Sequence, residues 1–261
     1  MIENTKIKKF ALRVEYNGSY YHGWQNQKSD ILSIQKIVEK AISNVANHKV
    51  SVICSGRTDA KVHSIGQIIH FTTVSVRRDI SWILGINSYL PSDIAVQWIG
   101  RVSNKFHARY SAVSRCYRYI IYNSNYRSPF LHNYANHIYN KLDVYAMYQA
   151  SQYLIGEYDF SSFRSSTCQS YTAYRKIIYT NVFSFKNFIF IDIQANSFLQ
   201  YMVRNIVGCL IEVGKMHKRS YWMQYVLKKR NRKFCSFTAK PNGLYLLSVK
   251  YPKIFNVPCN I

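Results

Sequence analysis

The chain has 261 residues, of which 48% are hydrophobic and 16% aromatic, and its 35 lysines and arginines against 12 acidic residues give a net charge of +23. This composition excludes a disordered chain, and no run approaches the roughly 18 apolar residues of a membrane span. Residues 1–6 lack an apolar signal core, so we expect a cytoplasmic protein with no membrane association. The charge favours a nucleic-acid partner, although the codon bias of an A+T-rich genome is another source of lysine.

The first half of the chain predicts the order strand, helix, strand, strand, helix, strand. Alternation of apolar and polar residues indicates the strands, and Ser33 and Pro91 mark the start of one helix and the end of the other. The predicted strands are 9–16, 50–54, 66–73 and 94–102, and the predicted helices are 34–45 and 79–90.

The second half, from residue 106, again mixes strands and helices. Its predicted strands are 115–122 and 243–251, with a hairpin around Lys186 and Asn187, and its predicted helices are 143–155, one within 197–214 and 221–228. Mixed elements in both halves imply an α+β fold with antiparallel pairing. We expect two domains, 1–105 and 106–261.

Asp59 stands apart from the other acidic residues. Asp79 and Asp143, for example, lie at predicted helix starts, where capping explains them. Asp59 instead lies in a glycine-led turn between two strands, with Arg57 two residues before it and Lys61 two residues after it. A turn aspartate that accepts bonds from backbone amides is one interpretation, and a reactive carboxylate on an anchored loop is the other.

Arg204 is the second unusual residue, because it interrupts an apolar helix. A buried guanidinium needs a carboxylate partner, and Asp59 is one candidate among several. Such a pair would keep the carboxylate ionised, which suits a nucleophile. A surface-exposed Arg204 remains the alternative.

Other patterns indicate little chemistry. The chain has no phosphate-binding or dinucleotide-binding glycine loop, no G-x-S-x-G elbow and no H-E-x-x-H motif, and its six scattered cysteines contain no C-x-x-C pair. We therefore predict no metal site. The basic run 228–233 is either a solvated face or a phosphate contact, and Tyr117-Arg118-Tyr119 either stacks on a base or packs within a strand.

Several ordered motifs resemble those of the TruA-type tRNA pseudouridine synthases, from about Phe10 to Pro252. They include SGRTDAKVHSIGQIIHF, VEYNGSYYHGWQNQ, FHARYSAVSRCYRYIIYN, LIGEYDFSSF, NSFLQYMVRNIVGCLIEVG and GLYLLSVKYP. The resemblance implies a pseudouridine synthase fold, with two halves similar to RNA-recognition folds that share a continuous sheet with a basic cleft between them. It also implies a homodimer that needs no cofactor, and an activity on uridines at tRNA positions 38, 39 and 40 in the anticodon stem-loop.

The same resemblance implies roles for four residues. Asp59 matches the nucleophile of G-R-T-D, and Arg57 matches the arginine that helps to displace the base and hold RNA. Tyr117 matches the tyrosine that stacks on the target base, and Arg204 matches the arginine that pairs with the nucleophile. Lys61 departs from the pattern, since most relatives have glycine there, and it is strained if this position needs a positive φ.

Two rival functions use the same residues differently. A tRNA-binding or RNA-chaperone module would keep the fold without turnover, and a general nucleic-acid-binding protein would show no preference for tRNA over duplex DNA. Asp59, Tyr117 and Arg204 together favour the enzyme, because a protein without turnover need not keep all three.

Overall fold

The computed structural model describes residues 7–27 and 31–259. The prediction that residues 1–6 contain no signal core concerns residues outside the described ranges. The contacts of the chain divide it into two compact units, residues 1–113 with 246–261, and residues 114–245. The domain boundary predicted between residues 105 and 106 stays a prediction.

The first unit has the predicted element order. Its elements are β1 (Lys8–Tyr16), α1 (Ile34–Ala46), β2 (Ile53–Cys54), β3 (His63–Thr73), α2 (Asp79–Tyr89) and β4 (Ile94–Arg101). Strand β1 lies between β3 and β4 and is antiparallel to both, and β2 is antiparallel to β3. Strand β10 (Leu244–Lys250), most of which belongs to this unit, is the other neighbour of β3.

One face of β1 and one stripe of α1 form the core of the first unit. Phe10 and Leu12 on the strand and Val38 and Ile42 on the helix are buried together with the fully enclosed Trp82. This is the burial that the period of two and the period of 3.6 predict. Ser33 caps α1 as expected, because its hydroxyl oxygen accepts a hydrogen bond of 3.4 Å from the Lys36 amide.

The strand predicted at 50–54 is wrong in its first half. The amides of Val50 and Val52 bond to side chains of α1, at 2.9 Å to Ser43 Oγ and 2.9 Å to Glu39 Oε1. These amides therefore do not take part in a strand ladder, and only Ile53–Cys54 pairs as β2.

The second unit is built on a mainly antiparallel sheet. Its elements are β5 (Ser114–Asn123), β6 (Asn136–Ile138), α3 (Val144–Gln152), β7 (Gly156–Asp159), β8 (Tyr174–Phe185), β9 (Phe188–Ala195), α4 (Met202–Gly214) and α5 (Trp222–Lys229). The strand order is β5-β9-β8-β7, and β6 pairs parallel to β5. The α+β class with antiparallel pairing is confirmed.

Of the two aspartates predicted to cap helices, one does so and the other does not. Asp143 caps α3, since its Oδ1 accepts a bond of 2.9 Å from the Ala146 amide. The capping role predicted for Asp79 is wrong, because Arg78 occupies the cap position and makes no side-chain bond there. Asp79 lies in the first turn instead, where its charge favours the helix N-terminus.

No α-helix within residues 7–27 and 31–259 combines the length and the apolar character that a membrane crossing requires.

Candidate active site

The loop from residue 55 to 62 joins β2 to β3 and carries Asp59. Gln67 on β3 anchors the start of this loop, since its Nε2 donates to the Gly56 carbonyl at 2.7 Å and its Oε1 accepts from the Ser55 hydroxyl at 2.7 Å. The Ser55 amide donates to the Ile68 carbonyl at 2.8 Å. The glycine-led turn thus begins from a fixed backbone position.

Thr58 fixes the middle of the loop from both its side chain and its backbone. Its hydroxyl lies 2.8 Å from the hydroxyl of Tyr16, and its carbonyl accepts from the Trp24 amide at 3.0 Å. Gly23 permits this approach with a φ of +90°, since a Cβ at that position would lie 2.6 Å from the Thr58 carbonyl oxygen. The loop is therefore packed directly against the segment that follows β1.

The end of the loop turns through Lys61. The Lys61 amide donates to the Tyr21 carbonyl at 3.1 Å, and the Val62 amide donates to the Asp59 carbonyl at 3.2 Å. Lys61 has a φ of +65°, so this position does need the left-handed conformation that glycine adopts without cost. Gly18 lies so close to the loop that a Cβ there would overlap the Val62 carbonyl.

The anchored loop leaves its charged residues fully or partly exposed and buries Thr58, which lies between Arg57 and Asp59. Thr58 is buried, whereas Asp59 is half-buried and Arg57 is exposed. Because the backbone is held on both sides, the carboxylate and the guanidinium are presented from a rigid support. Such an arrangement suits a group that must meet a substrate in one orientation.

Cys54, the nearest cysteine before the loop, is a poor nucleophile. Burial raises the pKa of its thiol to about 11, even though the cations Arg57 and Arg109 act in the opposite direction. The thiol is therefore protonated at neutral pH. Asp59 in the adjacent 55–62 loop is therefore a better nucleophile candidate than Cys54.

Arg109 also acts on the Cys54 thiol, although the sequence pattern did not mark this arginine as a candidate site residue. His107 holds this turn, since its Nδ1 accepts from the amides of Arg109 at 3.2 Å and Tyr110 at 3.1 Å. The Arg109 guanidinium lies 5.6 Å from the centre of the Tyr110 ring. The sequence signal that could have indicated this turn is a histidine two residues before the arginine, which can accept amide hydrogen bonds.

Tyr117 lies on β5 of the second unit and is buried against a ring. It shares one face of the strand with Tyr119 and Ile121, as the alternation predicted, and the centres of its ring and the Phe198 ring lie 5.0 Å apart in a T-shaped arrangement. Tyr119 is enclosed, with its hydroxyl donating to the Lys240 carbonyl at 2.7 Å. Of the two tyrosines, Tyr117 is the one with residual exposure, 8%.

Arg118, between these tyrosines, has a structural partner. Its Nε and Nη2 donate to the two carboxylate oxygens of Asp192, each at 2.7 Å, and its guanidinium lies over Phe183 and Phe190. This bidentate ion pair explains why β9 carries an acidic residue at Asp192. The base-stacking interpretation of this triplet therefore narrows to Tyr117.

Arg204 lies in the first turn of α4 and is half-buried, which is intermediate between the buried and the surface-exposed positions that the sequence allowed. Its Nε donates to the Ala239 carbonyl at 2.7 Å, and its guanidinium lies 4.8 Å from the centre of the Tyr201 ring. The Ala239 amide in turn donates to the Arg204 carbonyl at 3.1 Å. The guanidinium is thus held by a neighbouring segment of the same unit.

The basic run 228–233 has more than one environment. Arg232 turns inward, where its Nη2 donates to Asn205 Oδ1 at 3.2 Å and to Thr238 Oγ1 at 3.1 Å. Lys229 lies over the rings of Tyr225 and Phe234. Arg232 is therefore a structural residue, which corrects both interpretations of the run at that position.

Within the part of the chain that the structure describes, no three histidine, cysteine or acidic side chains converge as a metal-binding group.

Comparison with known proteins adds independent evidence. A family model described as "tRNA pseudouridine synthase" matches residues 13–111 and 150–252. The chain is 55% identical over 257 residues to the tRNA pseudouridine synthase A of Buchnera aphidicola subsp. Schizaphis graminum, with 98% of this chain and 97% of that protein covered. It is 48% identical over 257 residues to the protein of the same name from Enterobacter sp. strain 638, with 98% and 95% covered. The Histophilus somni strain 2336 protein of that name is 49% identical over 252 residues, with 97% and 93% covered. The chain therefore belongs to the tRNA pseudouridine synthase family.

Proposed function

We propose that this protein isomerises uridine to pseudouridine in the anticodon stem-loop of tRNA, at positions 38, 39 and 40, with Asp59 as the nucleophile. The observation that carries the proposal is the anchoring of the 55–62 loop, which presents a carboxylate two residues from an exposed arginine. Family membership supports the reaction, and the residues of the loop support the assignment of the nucleophile.

The reaction requires a carboxylate and no redox partner. The bond between N1 of the base and C1′ of the sugar breaks, the uracil rotates, and a bond forms between C5 and C1′ while C5 loses its proton and N1 takes up a proton. The Asp59 carboxylate adds covalently to the base or to the sugar during these steps and is released at the end. Substrate and product have the same atoms, so no cofactor is required.

The target nucleotide must leave the base stack before this chemistry, at a cost of a few kcal/mol. Arg57 is exposed beside Asp59 and is suited to occupy the vacated space. Tyr117 supplies a flat ring for the target base and a hydroxyl for the migrating proton. Arg204 is proposed to pair with Asp59 and to hold the carboxylate ionised.

The net charge of +23 supports tRNA as the partner, because phosphate contacts supply most of the non-specific affinity for RNA. The proposed architecture has two halves similar to RNA-recognition folds and a basic cleft between them. The proposed assembly is a homodimer, and the proposed compartment is the cytoplasm.

An Asp59→Asn variant tests the assignment. The substitution keeps the size of the side chain and removes the nucleophile, so turnover on an unmodified tRNA transcript should fall below detection while tRNA affinity stays within a few-fold. Equal loss of turnover and affinity would contradict a chemical role for Asp59. Tight tRNA binding by the wild-type protein with no product would favour the binding module instead.

A further inference from the structure

Two cysteines that are 26 positions apart in the sequence meet in the second unit. Cys209 on α4 and Cys235, which follows a short 3₁₀ turn at Arg232–Phe234, have their Sγ atoms 3.3 Å apart. Both are free thiols. The sulfur atoms are within about 1.3 Å of the length of a disulfide bond, so a small movement would join them. The cysteines are therefore less scattered than their spacing in the sequence indicates.

The two thiols are not equivalent. Cys209 is fully enclosed, whereas Cys235 is half-buried. The hydrogen bond from Cys209 and the cation of Arg232 lower the pKa of Cys235, while that same bond and burial raise the pKa of Cys209. The Arg232 guanidinium is fixed beside the pair, since its Nη1 donates to the Ser236 carbonyl at 2.7 Å. Because Cys235 is the more accessible of the two sulfurs, it is placed to meet an oxidant first, and the enclosed Cys209 is placed to resolve the oxidised sulfur.

We propose that Cys209 and Cys235 are a redox modification site that closes to a disulfide when the protein meets a hydroperoxide. The Cys235 sulfur attacks the terminal peroxide oxygen, the O–O bond breaks, and the products are a sulfenic acid and an alcohol, or water from hydrogen peroxide. The Cys209 sulfur then attacks the sulfenic sulfur, and the S–S bond forms as water leaves. The two thiols are oxidised by two electrons, and the peroxide is reduced by two.

The disulfide would tie residues 231–240, here called the strap, to α4. The strap already bonds to this helix, because Thr238 Oγ1 donates to Asn205 Oδ1 at 2.7 Å and Arg204 Nε donates to the Ala239 carbonyl at 2.7 Å. Gly208 lets the strap approach so closely that a Cβ there would overlap the Phe237 carbonyl. Closing the S–S distance would shift the strap and the acceptor of Arg204 with it.

This consequence rests on the proposed function, in which Arg204 pairs with the nucleophile. Displacement of a catalytic side chain by about 1 Å can lower a rate by a hundredfold. We expect oxidation to lower tRNA modification by roughly tenfold or more, and a thiol reductant to restore it.

Mass spectrometry of the full chain tests the site without any need for activity. The protein is treated with a small molar excess of hydrogen peroxide, its remaining thiols are alkylated, and it is digested with trypsin without reduction. The expected product is a linked pair of peptides that begin at Asn205 and Phe234, two hydrogens lighter than their sum, which dithiothreitol separates. Alkylation of both cysteines, or oxidation of Cys235 alone to sulfinic acid, would overturn the proposal.

Two variants control the chemistry. In Cys209→Ala the resolving thiol is absent, so a sulfenic acid on Cys235 should accumulate and react with dimedone. In Cys259→Ala the linked peptides should form as in the wild-type protein. Dimedone labelling of Cys235 that is equal in the wild-type protein and in Cys209→Ala would contradict a resolving role for Cys209. Because these readouts need no tRNA, their failure is distinguishable from failure of the proposed function.

Discussion

The hydroxyls of Tyr16 and Thr58 lie 2.8 Å apart and connect the end of β1 to the loop that carries Asp59. Both residues are buried, and Gln67 Nε2 donates to the Tyr16 hydroxyl at 3.4 Å while it also holds the Gly56 carbonyl. A buried polar network of this kind is stable only when each member keeps its partner. The position of Asp59 therefore depends on a residue that is 43 positions earlier in the chain.

Replacement of Tyr16 by phenylalanine should loosen the loop. The Thr58 hydroxyl would lose a buried partner, which is expected to lower the free energy of unfolding by about 1–3 kcal/mol. We also expect turnover on tRNA to fall about tenfold or more with little change in affinity, since a displaced Asp59 affects the chemical step more than RNA binding. Urea denaturation and single-turnover kinetics measure the two effects.

Tyr20→Phe is the matched control, because Tyr20 is 69% exposed and close in sequence. It should change both quantities little. An unchanged rate in Tyr16→Phe, with the expected loss of stability, would mean that the hydroxyl stabilises the fold without positioning Asp59.

Replacement of Lys61 by glycine should not destabilise the protein. A non-glycine residue in the left-handed region costs about 1–2 kcal/mol, and glycine removes this cost but adds about 0.4–1 kcal/mol of chain entropy to the unfolded state. The expected result is a gain of between about 0 and about 1.6 kcal/mol in the free energy of unfolding, measured with urea.

Lys105→Gly serves as the comparison for Lys61→Gly, because Lys105 is exposed and has no positive φ. It should leave stability unchanged or lower it. A larger loss in Lys61→Gly than in Lys105→Gly would show that the Lys61 side chain makes a contact that outweighs the strain of its backbone.

Replacement of Arg204 by alanine should lower both activity and stability. The Ala239 carbonyl would lose its donor and the Tyr201 ring would lose the cation above it, at a combined cost of about 1–3 kcal/mol in the free energy of unfolding. The loss of turnover should exceed a hundredfold if the guanidinium also supports the nucleophile. Arg219→Ala removes the same charge from an exposed position and should affect neither by more than a few-fold. Equal activity of the two variants would remove Arg204 from the site.

His70 should make the stability of the fold depend on pH. Burial, with help from His107 and Lys9, lowers the pKa of His70 to about 4 from its ordinary value of 6.5. The unfolded state therefore binds a proton at His70 more readily than the folded state does. The contribution of neutral His70 to stability is complete above pH 6.5 and is lost as the pH falls towards 4. The free energy of unfolding should decrease by on the order of 3 kcal/mol over this range.

His70→Asn tests the origin of this slope, because asparagine keeps an acceptor for the Ala108 amide that His70 Nδ1 now binds at 3.1 Å. The variant should be less stable at pH 7 but show a flatter dependence, with the remaining part due to His107, whose pKa burial also lowers. His22→Asn, at an exposed position, should keep the full slope. The same slope in His70→Asn and the wild-type protein would exclude His70 as the cause.

Local sequence patterns predicted the elements whose burial is periodic. Strand β1 and helix α1 were predicted to within one residue at each end, because alternation and a single apolar stripe record which side faces the core. The short strands β6 and β7 were not predicted, since they exist through pairing with β5 and β8, which their own residues do not reveal. The amides of Val50 and Val52 similarly found side-chain partners that no local pattern specifies.

The candidate site shows the same division between local and distant information. Asp59 and Arg57 could be singled out because a lone acid in a basic, glycine-led turn is unusual in the sequence itself. The residues that hold them, such as Tyr16 and Gln67, are ordinary strand residues until the fold brings them to the loop. The charged neighbours of Arg232 predicted either a solvated face or a phosphate contact. Its side chain turns inward instead, because Asn205 and Thr238 supply hydrogen-bond acceptors.

Position-resolved mapping of pseudouridine in tRNA most directly tests the proposed activity. An unmodified tRNA with uridines at positions 38, 39 and 40 is incubated with the wild-type protein or with Asp59→Ala, and each uridine is then examined. Pseudouridine at one or more of these positions with the wild-type protein, and none with the variant, is the expected result. Unmodified uridines after incubation with a wild-type protein that binds the tRNA, or equal modification by Asp59→Ala, would contradict the assignment of Asp59 as the nucleophile of a tRNA pseudouridine synthase.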